Sequence, residues 1–96
     1  MITASECELY DDLVEWMGPD RQLAQAVEEF CEAAVAIRHL LRNRPHALHE
    51  VLKELAQADI MTRQAVRLLG AEDRMAVVRA GELARLRERL DNGELA

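Results

Sequence analysis

An all-α domain of four helices is what these residues favour, on three observations. Gly and Pro are scarce, at four and two among 96 residues, while Ala, Leu, Glu and Arg, all good helix formers, are frequent. Apolar residues recur at spacings of three and four rather than alternating, so no segment reads as a bounded β-strand. The few breakers also sit where helices would stop.

The first helix is predicted from about Ser5 to Met17, with Ser5 and Glu8 as a capping box and Gly18-Pro19 as its stop. The second is predicted to start after Asp20, a good N-cap, and to run to about Asn43. Its apolar line is Leu23, Val27, Phe30, Ala34, Ile37 and Leu41. A third helix is predicted from Pro45, a residue suited to the first helical position, to near Leu69, with Gly70 at the C-cap. Leu48, Val51, Leu52, Leu55, Thr62, Val66 and Leu69 form its line. The fourth spans roughly Glu72 to Asp91 and closes at Asn92-Gly93. The link through Arg44-Pro45 is short, so the second and third helices are expected to pair as an antiparallel central hairpin. Ala26, Ala33 and Ala36 form a second, small-residue line on the second helix, which would admit another helix closely. Two packing faces on one helix, in a chain with a small core, predict a bundle completed by self-association.

Length allows one domain over residues 1–96. Half the residues are hydrophobic and only 3% aromatic, so a core must come from aliphatic side chains. The net charge of −6 disfavours a binder of nucleic-acid polymers, which needs a basic face. It suits a divalent cation, or a small anion held through one. Cys7 and Cys31 lack zinc-site spacing and are too few for a disulfide framework; Cys31, inside a helical pattern, is expected to be a buried thiol. The acidic start MITASECELYDDL lacks the features of a signal peptide, and no stretch is long enough for a membrane span. A cytoplasmic protein that does not engage membranes is the expectation.

The chemistry-bearing pattern is acidic. Glu28-Glu29-x-x-Glu32 lies on the second helix and Glu54-x-x-Gln57 on the third. At roughly 100° per residue, Glu29 and Glu32 fall about 100° and 160° to one side of Phe30, and Glu54 and Gln57 fall at the same angles from Leu55. On antiparallel neighbours the two pairs could converge at the edge of the core, near Ala33, Ala36 and Ala58. Three carboxylates and an amide oxygen suit a hard cation such as Mg²⁺, which could grip phosphates and activate a water. The same spacing is also that of an ordinary solvated face. Asp59 lies on the apolar stripe, where a lone carboxylate is costly. It could stand in for the missing charge as ligand or ligand support, or pair with an Arg or a hydroxyl across a subunit boundary. Trp16 could stack on a base or serve as a packing anchor. His46 and His49 are expected to be exposed. With His39 they form no Glu-x-x-His pattern of the di-iron bundles, and no phosphate loop or nucleophile elbow occurs.

The stretch from Trp16 to Leu23 (WMGPDRQL), then EEFCEAAVAIRHLLR and KELAQADIM, resembles the MazG-like nucleotide pyrophosphohydrolases. That family carries EExxE on one helix and ExxD on the next. Glu28, Glu29 and Glu32 match the first motif, and Glu54 opens the second. ELARLRERLDNG, from Glu82 to Gly93, is similar to the family's basic C-terminal helix, with Arg85 and Arg89 as candidate phosphate contacts. Those two could equally belong to a surface charge pattern with Glu82 and Glu88. The resemblance covers about Trp16 to Gly93. It implies a Mg²⁺-dependent (Mn²⁺ is also possible) pyrophosphohydrolase that cleaves a nucleoside triphosphate to monophosphate and pyrophosphate, working as a homodimer or homotetramer. Glu29, Glu32, Glu54 and Gln57 would be the metal ligands, and Glu28 the catalytic residue, supporting the ligands or orienting the water. Two positions depart from the pattern: Gln57 stands where the family has a metal-binding Asp, and Glu82 where a Lys is expected. These departures favour an alternative, a weakened relative serving as a nucleotide-binding or structural helical module.

Overall fold

The computed structural model describes residues 3–94. Met1, Ile2, Leu95 and Ala96, the ends of the expected 1–96 domain and the first residues of the acidic start, lie outside the described residues. The chain forms α1 (Ala4–Met17), α2 (Pro19–Leu41), α3 (Ala47–Leu68) and α4 (Glu72–Asp91), with no strand among the described residues. No helix among them is long and apolar enough to cross a membrane.

The helix ends explain where the boundaries shift from expectation. Thr3, not Ser5, caps α1: its Oγ1 accepts from the Glu6 amide at 3.1 Å, placing Glu6 at the third helical position. Gly18 adopts φ +86°, ends α1 and immediately precedes Pro19 as first residue of α2, so Asp20 sits in the first turn instead of capping it. Only glycine takes that conformation without strain. At the hairpin tip Asn43 is left-handed at φ 54°, the amides of Asn43 and Arg44 close back on Leu40 and His39, and α2 stops at Leu41. Pro45 falls in the turn rather than at the start of α3, because His46, at φ 61°, precedes the first helical residue, Ala47. Gly70 and Gly93 end α3 and α4 with paired backbone bonds to the preceding turn, as expected.

The α2–α3 hairpin is the centre of the fold, but its seam is not the expected one. Gln22, Ala26, Ala33 and Ala36 are buried on α2, and Ala47, Val51 and Gln64 on α3. With Glu29 on one helix and Glu54, Ala58, Met61 and Ala65 on the other, all half-buried, these residues, Gln64 apart, repeat at alternating spacings of three and four, the pattern of a coiled-coil seam. The small-residue line joins the two helices, and no large apolar side chain is fully buried among the described residues. Alanine removes little volume at the contact, so the backbones approach closely and the larger stripes are turned aside. Cys31, opposite this seam on its helix, is exposed, contrary to the buried thiol expected.

The displaced stripes share one side of the hairpin. Phe30, Ile37 and Leu41 of α2, and Leu48, Leu52 and Leu55 of α3, lie about 100° round from the seam in the same rotational sense. The two-fold relation between antiparallel neighbours stands perpendicular to the hairpin plane, so both sets point the same way. All six are exposed. Over the other end of that side lies α1, held by buried Tyr10, by a bidentate Arg67–Asp11 pair at 2.9 Å and by Glu6, which accepts from Tyr10 at 3.3 Å and lies 3.8 Å from Arg63. The Arg67 guanidinium holds the Asp11 carboxyl below its usual range. Among the described residues α4 touches only α3 and buries none of its own side chains.

Candidate metal centre

On the opposite side of the seam the acidic residues converge. One carboxylate oxygen from each of Glu29, Glu32 and Glu54 lies within 4.8 Å of the other two. The reason is the heptad phase. Glu29 and Glu54 occupy seam positions, and Glu32 and Gln57 follow three residues later, so they stack beside them on the same flank. Glu29 and Glu54 are half-buried, and Glu32 is exposed. Glu32 and Glu54 also line a shallow groove of about 280 Å³, with Cys31, Val35 and Glu50.

Gln57 closes the cluster. With its amide nitrogen turned inward it donates to Glu29 Oε2 at 2.7 Å and to Glu54 Oε2 at 3.1 Å. A half-turn of the amide brings its oxygen to the same place, making a fourth oxygen donor beside the carboxylates. The side chain can therefore bridge two anions as a donor, or join them around a cation as a ligand. Gln25 adds a second donor, to Glu29 Oε1 at 3.0 Å. Close by, His39 Nδ1 and the Glu50 carboxylate, 2.8 Å apart, tie α2 to α3. Spacing analysis did not single out Gln25 or Glu50, although each sits four residues before a cluster glutamate, which was the available signal.

Three like charges in one place cost free energy. The proximity of Glu29, then partial desolvation and Glu54, push the Glu32 carboxyl above its usual range. A carboxylate raised in the fold binds its proton more tightly there than in the unfolded chain. The stabilisation is present at low pH and is lost as pH rises from the ordinary glutamate range through the raised value. Glu32→Gln removes that loss. Without divalent cations, its melting temperature is expected to gain on the wild type as pH rises from about 4 towards 7. Melting curves across that range would show a pH-independent difference if Glu32 felt no such repulsion.

The other expected site residues are dispersed. Glu28 is exposed on α2, one turn before Glu32 and outside the three-carboxylate cluster. Asp59 pairs with Arg63 of its own helix at 3.2 Å. It lines a different and larger cavity, about 690 Å³, between α1, α3 and α4. It is therefore not an alternative ligand for the cluster. That cavity mixes Asp59 and Glu72 with Arg63 and Arg79, so it offers no single sign of charge to a ligand. Trp16 is 77% exposed and anchors no core. Arg85 lies 3.7 Å from Glu82 on the solvent face of α4, and neither it nor Arg89 lines the groove beside Glu32 and Glu54. His46 and His49 are exposed, as expected.

Family models, curated proteins and solved structures were all compared with the chain, and none matches it.

Proposed function

We propose that the chain is a Mg²⁺-dependent nucleoside triphosphate pyrophosphohydrolase of MazG-like type, releasing a nucleoside monophosphate and pyrophosphate. The observation that carries this reading is the meeting of Glu29, Glu32 and Glu54 within 4.8 Å across two helices, in the order of the family's EExxE and ExxD motifs. The donor set fits the cation. Three carboxylates and one amide oxygen are hard ligands, too few to enclose Mg²⁺, and such sites leave positions for water and phosphate. When bound, the cation would supply Lewis-acid polarisation of phosphoryl oxygens and activation of the attacking water; Mn²⁺ would do the same.

The chain's own part is positioning. Glu29 and Glu54 are held by the seam and by the donors Gln25 and Gln57, so two ligands are oriented before any ligand arrives. Glu32, more exposed, completes the triangle, and Glu28, one turn away on the same helix, orients the water. Trp16 is the base-stacking residue of this reading. Arg85 and Arg89, its phosphate contacts, stand on a helix that does not reach the groove within one chain. They belong to the site only when a second copy brings its α4 there. The working unit of this reading is accordingly a homodimer or homotetramer, acting in the cytoplasm on nucleotides rather than on polymers or membranes.

A second reading is favoured by Gln57 itself. An amide that already bridges Glu29 and Glu54 meets part of the need a cation would meet, as in a weakened relative that binds nucleotide or serves as a structural helical module. Pyrophosphate release from a panel of nucleoside triphosphates, with and without Mg²⁺, separates the two. The enzyme reading expects metal-dependent release that Glu29→Gln and Glu54→Gln reduce by at least about a hundredfold, the scale on which loss of an electrostatic contact to the reacting group acts. No release from any nucleotide at millimolar Mg²⁺ or Mn²⁺ selects the second reading.

A further inference from the structure

Helix α4 buries none of its side chains among the described residues, yet it carries an apolar line. Ala76, Leu83, Leu86 and Leu90, with Arg79 among them, recur at spacings of three and four. The three leucines are about half exposed, from 48% at Leu86 to 55% at Leu90. On α3, the residues one step on from each seam position form a second line: Val66, Thr62 and Asp59, then Leu55, Leu52 and Leu48. Its first three line the cavity of about 690 Å³ that Ala76 and Arg79 also line. Its last three stand open to water, up to 61% exposed at Leu48.

The two lines match residue for residue. Since Ala76 and Arg79 share a cavity with Asp59 and Thr62, α4 turns back along α3 in the antiparallel sense. Place Ala76 opposite Thr62, and Arg79 falls opposite Asp59. Leu83 then meets Leu55, Leu86 meets Leu52, and Leu90 meets Leu48. This works because spacings of three and four alternate in the same order along both helices, as in a coiled coil. Sliding α4 by one heptad either way sets Arg79 against Leu52 or Val66, where it loses its carboxylate. One charge pair therefore fixes the register, and three leucine pairs supply the contact.

The link between the helices is built to pivot. Gly70 takes φ +62° with open space where a side chain would stand. The first turn of α4 is held at that point, Glu72 lying 3.4 Å from Arg67 Nη1. A compact monomer of 10.9 kDa exposes about 5,600 Å² and has a radius of gyration of about 12.5 Å. This chain exposes 7460 Å² with a radius of gyration of 16.1 Å. A splayed helix raises both.

We propose that α4 is a hinged arm that pivots at residues 69–71 and closes onto α3 of its own chain as an antiparallel coiled coil. Closure takes the three leucine pairs out of water, the dominant driving force for such a movement. It also fills the wedge between the helices and brings Arg79 to Asp59, which already faces Arg63. The device stands on α3 and α4 alone and does not rest on the metal chemistry proposed for the cluster.

The test uses the full chain carrying Leu52→Cys and Leu86→Cys, with Cys7→Ser and Cys31→Ser. A disulfide needs Cα atoms within about 7 Å of each other, so mild oxidation is expected to join the two new cysteines within one chain. Mass spectrometry and a non-reducing gel read that bond. Leu52→Cys with Glu88→Cys, 200° round α4 from Leu86, is expected to stay reduced. Melting curves give a second reading that oxidation cannot bias. Leu86→Glu is expected to lower the midpoint by at least about 4 °C. Val77→Glu, half a turn away and 74% exposed, leaves it unchanged. A disulfide at 52 and 86 that forms only between chains would overturn the proposal. So would equal cross-linking of the 52–86 and 52–88 pairs, or a Leu86→Glu midpoint equal to the wild type's.

Discussion

Ala36→Leu is expected to lower the melting temperature by roughly 4–24 °C. Ala36 is the most buried of the described residues, at 0% exposure, and it lies on the buried line of α2. A leucine there adds three carbons to a contact with no space for them. Over-packing of this kind costs about 1–3 kcal/mol, and each kcal/mol shifts the midpoint of a domain this size by about 4–8 °C. Ala24→Leu is the control. It makes the same chemical change on the same helix at an exposed position, where surface substitutions stay within about 0.5 kcal/mol. Thermal melts of the two variants decide the matter. Equal midpoints would show that the alanine line is not the seam.

Gln57→Asp is expected to act in opposite directions with and without metal. In the absence of divalent cations it replaces an amide that donates to Glu29 and Glu54 with a fourth acid. The lost hydrogen bonds to charged groups, about 1.5–3 kcal/mol each at most, and the added repulsion lower the melting temperature. With Mg²⁺ or Mn²⁺ the order reverses. One more negative charge about 4 Å from the ion is worth between about 1 and 4 kcal/mol per unit of cation charge, from water to a near-surface dielectric, so affinity rises at least about tenfold. The metal-induced rise in melting temperature, which follows from binding the native state, should therefore be larger in the variant than in the wild type. Turnover should rise with it if the rest of the pocket is that of the proposed enzyme. Glu29→Gln or Glu32→Gln should abolish the metal-induced rise in both backgrounds. If millimolar metal moves neither the wild type nor Gln57→Asp, the cluster is a solvated acidic flank and no cation site.

Much of the helical scaffold was legible because its punctuation is local. Gly18-Pro19, Gly70 and Asn92-Gly93 mark stops that depend on backbone conformation at one or two residues. The expected bounds of α4, Glu72 to Asp91, coincide with the observed ones. The errors at helix starts are equally local. Thr3 competed with Ser5 for the α1 cap, and a left-handed His46 moved the start of α3 from Pro45 to Ala47. The meeting of Glu29, Glu32 and Glu54 was also foreseeable, since matched angles on two antiparallel helices fix which residues share a flank.

By itself, then, the sequence determined the all-helical character, the hairpin, and the flank on which the carboxylates gather. All of these follow from short-range conformational preference and from the angular period of the helix. Only the tertiary structure decided which of the two lines on α2 meets α3. Periodicity shows that both lines exist and what each is made of, but it carries no term for what stands opposite. Alanine against alanine allows the closest backbone approach, whereas Phe30, Ile37 and Leu52 hold helices apart. The small line therefore closed the hairpin, and the large one was left facing water. The same rotation turned Asp59, which pairs with Arg63 of its own helix, away from the cluster, and turned Cys31 outward.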